Sequence, residues 1–291
     1  MPGPQTLLVD NGSLVPAATL ALRGLATKLA LRLGHAVEPV SLLHSSGVDP
    51  KLLEGRPAEI LVPALERHLA AGQNDFIVVP LFFGPSQALT AYVPENVARL
   101  RARHPALNLR LASPLYAAGD DRLARILADQ VLVEIDAWPR APRQTRGPEV
   151  VERAGPLPPE TRVALVDHGS PVPEVTAVRD ELAAQLAALL GARVAAVAPC
   201  SMERRPEPAY DFTAPLLADL LATPGWSAGR VIVALQFLQP GRHAGPEGHV
   251  AEICRRAEAA HPGLRTRMTG LVGAHPLLVE ILADRWRSVA G

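Results

Sequence analysis

ALVDHGSPVP at residues 164–173 reads against LLVDNGSLVP at residues 7–16, without a gap and at a constant offset of 157 that sets His168 on Asn11. In each stretch an apolar run ends in Asp, one polar residue, Gly and Ser, and a Val-Pro follows that is suited to open a helix. A second pair, VVPLFFGPSQA at residues 78–88 and IVALQFLQPGRH at residues 232–243, sets Pro240 on Pro85 at an offset of 155. Two matches in the same order and at nearly the same offset make the chain an internal duplication.

Working outward from these anchors, short apolar runs alternate with longer amphipathic ones. The first half reads TLLVD, a helix over 18–33, AVEPV, a helix over 58–71, FIVVPLF, a helix over 95–104, LRLAS and a helix over 121–137. The second half repeats the order with RVALVD, 175–190, ARVAAVA, 209–221, RVIVALQF, 247–261, LRTRM and 276–289. Four strand–helix units per half, with strands apolar almost throughout, predict an α/β protein. Each half should hold a parallel sheet of about four strands flanked by helices. Between the halves, RAPRQTRGPEVVERAGPLPPE lacks either periodicity and reads as a linker over 140–160. The expected domains are therefore 1–139 and 161–291.

Composition narrows the function classes. The chain has 291 residues, 48% of them hydrophobic and 20% charged, which suits two globular domains. Lys plus Arg and Asp plus Glu both total 29, so no net charge recruits nucleic acid or an anionic membrane. No run approaches the ~18 apolar residues that cross a bilayer, and the start lacks a basic region followed by an apolar core, so a cytoplasmic location is expected. Cys200 and Cys254 match no zinc or redox spacing and are expected to be reduced. Cys200, after an apolar strand, reads as a small buried hydrophobe. No Walker or Rossmann glycine pattern is present, so no nucleotide cofactor is expected.

In open parallel sheets, ligands bind at the carboxyl ends of the strands. That rule brings Asp167-His168-Gly169-Ser170 and Gln239-Pro240-Gly241-Arg242-His243 to one cleft. Imidazole is neutral near pH 7, ligates divalent first-row metals and accepts protons, so His168 and His243 are the candidate metal-binding and catalytic pair. His35, His68, His104, His249 and His261 read as ordinary surface or core residues. A carboxylate could join the pair from the loop after the second strand, with Glu203 the first candidate and Glu207 the second. Glu247 lies four residues beyond His243 but also suits a helix N-terminus. Arg204, Arg205 and Arg242 lie in the same loops, where guanidinium groups can grip carboxylates in bidentate fashion.

These residues resemble the sirohydrochlorin chelatases, the class II enzymes that insert cobalt, iron or nickel into a tetrapyrrole without ATP. The resemblance rests on VDHGSPVP, on QFLQPGRH and on the tail Gly273-Ala274-His275-Pro276-Leu277, and it covers nearly the whole chain. It implies two tandem chelatase-like, flavodoxin- or Rossmann-like domains. It also implies a divalent metal as substrate, and His168, His243 and Glu203 as catalytic and metal-binding residues. The first half departs from the pattern, with Asn11 at the position of His168, Ala88 at that of His243 and Tyr92 at that of Glu247. Two-domain members usually keep the histidine pair in the first half; here it survives in the second, as the key histidine does in protoporphyrin-type ferrochelatases.

The reading that follows puts a tetrapyrrole between the halves. The metal sits on His168 and His243, which also accept pyrrole protons. Asn11, Ser13, Ser86, Gln87 and Tyr92 from the first half, with Ser170, Arg204, Arg205, Arg242 and Glu247 from the second, contact the macrocycle. The alternative is a non-catalytic tetrapyrrole, haem or metal carrier on the same scaffold. The duplication makes a monomer the expected state, with a homodimer possible, because each half can supply the interface that a single-domain relative gains by pairing.

Overall fold

The computed structural model describes residues 3–138 and 161–291; the expected linker over 140–160 lies outside them. The first half runs β1 (Gln5–Asp10), α1 (Pro16–Leu33), β2 (Val37–Ser41), α2 (Leu61–Ala70), β3 (Asp75–Pro80), α3 (Val93–Arg103), β4 (Asn108–Leu111) and α4 (Arg122–Ala137). The second runs β5 (Thr161–Asp167), α5 (Pro173–Leu190), β6 (Ala196–Ser201), α6 (Leu217–Ala222), β7 (Gly229–Leu235), α7 (His249–Ala260), β8 (Leu264–Met268) and α8 (Leu277–Ala290). Each half is a four-stranded sheet, ordered β2-β1-β3-β4 and β6-β5-β7-β8. Every pairing is parallel, and Asp10 opposes Ser41 as Asp167 opposes Ser201. The central strands are apolar on both faces because helices cover both: Leu7, Leu8, Val9, Val163, Ala164, Leu165 and Val166 are wholly buried. No helix among the described residues is long and apolar enough to cross a membrane.

Two elements differ from the sequence-based expectation. The helix expected over 209–221 is split into a 3-10 turn, Pro208–Thr213, and the short α6. Pro215 lies between them, and its ring and missing N–H end a helix there. In the first half a π-helical turn, Ala88–Tyr92, runs straight into α3. The helical run therefore begins at Ala88, seven residues earlier than the expected start at 95, and this redirects Gln87 and Tyr92.

The last helix of each half crosses to the other half. Helix α4 packs on α5 and β7, while α8 packs on α1 and β3. One hydrophobic core results, running from Leu8, Leu25 and Leu29 through Leu127 and Val131 to Leu165, Leu182, Ile281 and Leu282. Each of these buried side chains contributes roughly 1.5–3 kcal/mol, so neither sheet is covered without the other's helix. Polar contacts follow the same exchange. Trp286 Nε1 donates to Thr6 Oγ1 at 2.9 Å, Arg110 donates to the Val289 carbonyl at 2.9 Å, and Arg122 pairs with Asp284 at 2.6 Å.

Candidate functional site

Strand β5 ends on a rigid polar cluster. Asp167 is buried and accepts from the Gly169 amide at 3.1 Å and from Ser201 Oγ at 2.6 Å. The fully buried Arg179 donates to Ser201 Oγ at 2.6 Å and to the Thr213 carbonyl at 2.7 Å. Burial pushes the Asp167 carboxyl up, while Ser201 and Arg179 pull against it. Beyond the strands the ladder continues: Met202 N donates to the Asp167 carbonyl and Glu203 N to the His168 carbonyl at 3.2 Å. That step lays Glu203 beside His168. It is open only to glycine at 169, where φ is +92° and a Cβ would stand 1.9 Å from the Glu203 carbonyl oxygen.

His168 Nδ1 lies 3.0 Å from the Gly169 carbonyl, which can only accept, so Nδ1 carries a hydrogen. Nε2 faces Glu203 Oε1 at 3.3 Å. The loop after β7 brings His243 against His168, with ring centroids 4.6 Å apart and planes nearly perpendicular. Backbone bonds from His249 N to the Arg242 carbonyl and from Val250 N to the His243 carbonyl close this loop onto the start of α7. They also bring in His249, whose Nδ1 is 3.1 Å from His243 Nδ1. One of these nitrogens donates and the other accepts, so the contact couples the tautomers of the two rings. Burial lowers the His243 pKa first, the charges of His168 and His249 lower it further, and Glu203 opposes them. The ring is therefore neutral, as a metal ligand must be.

The pair opens onto a cavity of about 710 Å³ between the halves. Of the residues expected at the macrocycle, Asn11, Ser13, Ser86 and Arg242 line it together with His168 and His243. Others are engaged elsewhere. Ser170 Oγ accepts from Val172 N at the start of α5, as Ser13 Oγ does from Val15 N before α1. Tyr92 packs into the first-half core and Gln87 is exposed, both because of the early start of the helix. Arg204 pairs with Asp211, and Arg205 donates to the Tyr210 hydroxyl at 3.1 Å and stacks on its ring. Glu247 is almost wholly exposed and faces Arg255 at 3.9 Å. His275 has a structural part: its Nδ1 accepts from Leu277 N at the start of α8. Among the described residues, no three His, Cys, Asp or Glu side chains form a ready-made metal cage.

Sequence reasoning missed His249, Asp10, His44 and Gln239. His249 is hidden because six residues separate it from His243, and only the closed loop makes them neighbours. Asp10, His44 and Gln239 all line the cavity. The Gln239 amide, with its nitrogen turned toward the first half, donates to Asp10 Oδ2 at 3.3 Å and to the Ala18 carbonyl at 2.9 Å. In the degenerate half, Leu43 N donates to the Asn11 carbonyl as Glu203 N does to that of His168. Leu43 thus stands where Glu203 does, and the first half lacks the carboxylate as well as both histidines.

Residues 162–289 match the CbiX family model. No curated protein matches the chain. SirB from Bacillus subtilis with Fe3+ superimposes with a TM-score of 0.71 at 15% identity, covering 100% of this chain and 96% of that one. The sirohydrochlorin chelatase SirB from Bacillus subtilis subspecies spizizenii in complex with cobalt gives 0.67 at 16% identity, covering 99% and 96%. CbiX, the terminal enzyme for biosynthesis of siroheme in denitrifying bacteria, gives 0.58 at 18% identity, covering 98% of each chain. The second half of this protein is similar to the CbiX family over residues 162–289, and the whole chain shares the two-domain fold of these chelatase structures.

Proposed function

We propose that the protein inserts a divalent metal, cobalt, iron or nickel, into sirohydrochlorin or a related tetrapyrrole without ATP. The observation that carries this reading is the arrangement of His168 and His243 at the edge of a cavity walled by both halves, with Glu203 beside His168. His168 turns Nε2 toward a carboxylate oxygen 3.3 Å away. Two such groups can share a cation. A first-row metal about 2.1 Å from each would subtend about 105°, close to a tetrahedral angle. His243 lies beside this pair without closing a three-ligand cage, and so open an arrangement suits a metal in transit better than one held for good.

Insertion requires the metal to shed its donors as the ring nitrogens take over, while two pyrrole protons leave. His168 and His243 present the metal, and whichever imidazole gives up its share of the metal is free to take a proton. Asn11, Ser13, Ser86 and Arg242 contact the macrocycle in the cavity, Arg242 through its carboxylates. The reading places the metal site in the domain 161–291 and the opposite wall in the domain 1–139. It takes the protein as a monomer, supported by the exchange of α4 and α8 within one chain.

The test is the visible absorption of purified protein mixed with sirohydrochlorin and Co²⁺ or Fe²⁺, followed against the spontaneous rate. Acceleration in wild type that is lost in His168→Ala supports the chelatase. A stable bound-ligand spectrum without acceleration sinks it in favour of a carrier.

A further inference from the structure

The duplication permits a comparison of the two strand-end aspartates. In the second half, Asp167 is held by Ser201, which is in turn held by the buried Arg179. In the first half, Thr19, Leu22 and Ser41 stand at the positions of Thr176, Arg179 and Ser201. Leucine brings no guanidinium. Asp10 keeps its place at the strand end, but its Oδ1 is covered and has no hydrogen-bond partner. Where Arg179 fills the space in the twin, the first half has a chamber of about 310 Å³ lined by Thr19, Leu22 and Ser41 and rimmed by the exposed Arg56 and Pro57. Polar side chains, among them Thr19, Arg23, Glu38 and Ser41, line it beside apolar ones, and it has room for several water molecules at about 30 Å³ each.

Asp10 therefore stands between two spaces. In front is the cavity it shares with His168 and His243; behind, past its register partner Ser41, is the chamber. We propose that Asp10 accepts one of the two pyrrole protons during metal insertion and returns it to solvent through the chamber behind Ser41. The inference rests on the chelatase reading given above. In the step, a pyrrole N–H bond breaks, its electron pair stays on nitrogen to bind the metal, and the proton joins the Asp10 carboxylate. Asp10 then passes that proton by way of the Ser41 hydroxyl, which lines the chamber, to water there; the second pyrrole proton goes to the histidine pair or to water. A macrocycle filling the front cavity blocks the direct path to solvent, which is why a rear exit matters.

The electrostatics agree. Burial raises the Asp10 carboxyl to about 6, against the pull of the Ser41 hydroxyl and the Gly12 amide nearby. It is a carboxylate at neutral pH, yet a far better base than an ordinary aspartate. Across the front cavity the titratable and charged groups are His44, His168, Arg242 and His243. Around the chamber they are Arg23, Glu38, Arg56 and Glu59. Arg23 is committed to the carbonyls of Leu53, Arg56 and Pro57, so it does not replace the missing Arg179.

The experiment compares wild type, Asp10→Asn and Leu22→Arg in sirohydrochlorin metallation with Co²⁺ across pH 5–8. Asp10→Asn should lower kcat about a hundredfold with little change in KM for Co²⁺, and the rise in wild-type kcat centred near pH 6 should vanish. Leu22→Arg, which restores the twin's pairing and plugs the chamber, should move that rise to lower pH. Acceleration by wild type with kcat and pH profile unchanged in Asp10→Asn overturns the inference alone. No acceleration by wild type brings down the chelatase reading and the inference with it. A wild-type-minus-Asp10→Asn carbon NMR titration gives an independent readout, and a carboxyl midpoint near the ordinary 3.8 would also overturn the inference.

Discussion

Replacing Gly169 by Ala tests the site without touching a candidate ligand. The residue has φ +92°, and a Cβ there would lie 1.9 Å from the Glu203 carbonyl oxygen and 3.1 Å from its carbon. Ordinary carbon–oxygen contacts are about 3.3 Å or longer, so the Glu203 loop must retreat by more than an ångström. The left-handed backbone costs about 1–2 kcal/mol for an L-residue and the overlap about 1–3 kcal/mol, a loss of roughly 2–5 kcal/mol in all. Against a total stability of about 5–15 kcal/mol the protein stays folded. Urea denaturation reads the stability, and metallation of sirohydrochlorin reads the separation of Glu203 from His168. Gly12→Ala is the control for stability alone, because its Cβ would lie 1.7 Å from the Leu43 carbonyl at the matching turn of the first half, beside Asp10. Both variants should lose similar stability, and Gly169→Ala should lose rate. A Gly169→Ala protein within about 1 kcal/mol of wild type and equally active would refute the described juxtaposition of His168 and Glu203.

Arg179→Leu gives the second half the residue that the first half already has; it strips the donor from Ser201 and the Thr213 carbonyl beside a buried carboxylate. A loss of about 3–5 kcal/mol is expected, and a urea midpoint close to wild type would count against the network. Residues 161–291 expressed alone should not yield a folded monomer, because α8 leaves home to cover the first sheet and α4 is missing from its own; a monomeric species with a cooperative thermal transition would contradict the helix exchange. Because the folded-state pKa of His243 is lowered, the native protein resists protonation below the usual value near 6.5. His243 therefore favours folding above that pH, and this contribution falls away as the pH drops below it. Imidazole proton shifts would reveal the order of titration, and a His243 midpoint above 6.5 would reverse the argument.

Much of the architecture was legible because strands and helices carry local periodicities. The apolar runs ending at Asp10 and Asp167 and the glycine turns after them repeat at one offset, and both sheets have the expected four parallel strands. The histidine pair was legible for a related reason: parallel topology sends the end of β5 and the end of β7 to the same edge. Errors arose where local signals were blurred. Pro215 interrupts a stretch whose apolar spacing reads as one helix, and a π-helical turn draws Tyr92 into the core although its alignment placed it opposite Glu247.

The sequence by itself determined the duplication, the alternation of strand and helix, and the presence of Asn11 and Ala88 where the second half has His168 and His243, since each depends on residue identity or on spacing within a few turns of chain. Only the tertiary structure decided that α4 and α8 trade sheets, that His249 meets His243, and that Leu22 leaves a chamber behind Asp10. Those outcomes depend on which apolar faces find one another across more than a hundred residues, and on the space a missing guanidinium leaves. Neither is written in any local pattern.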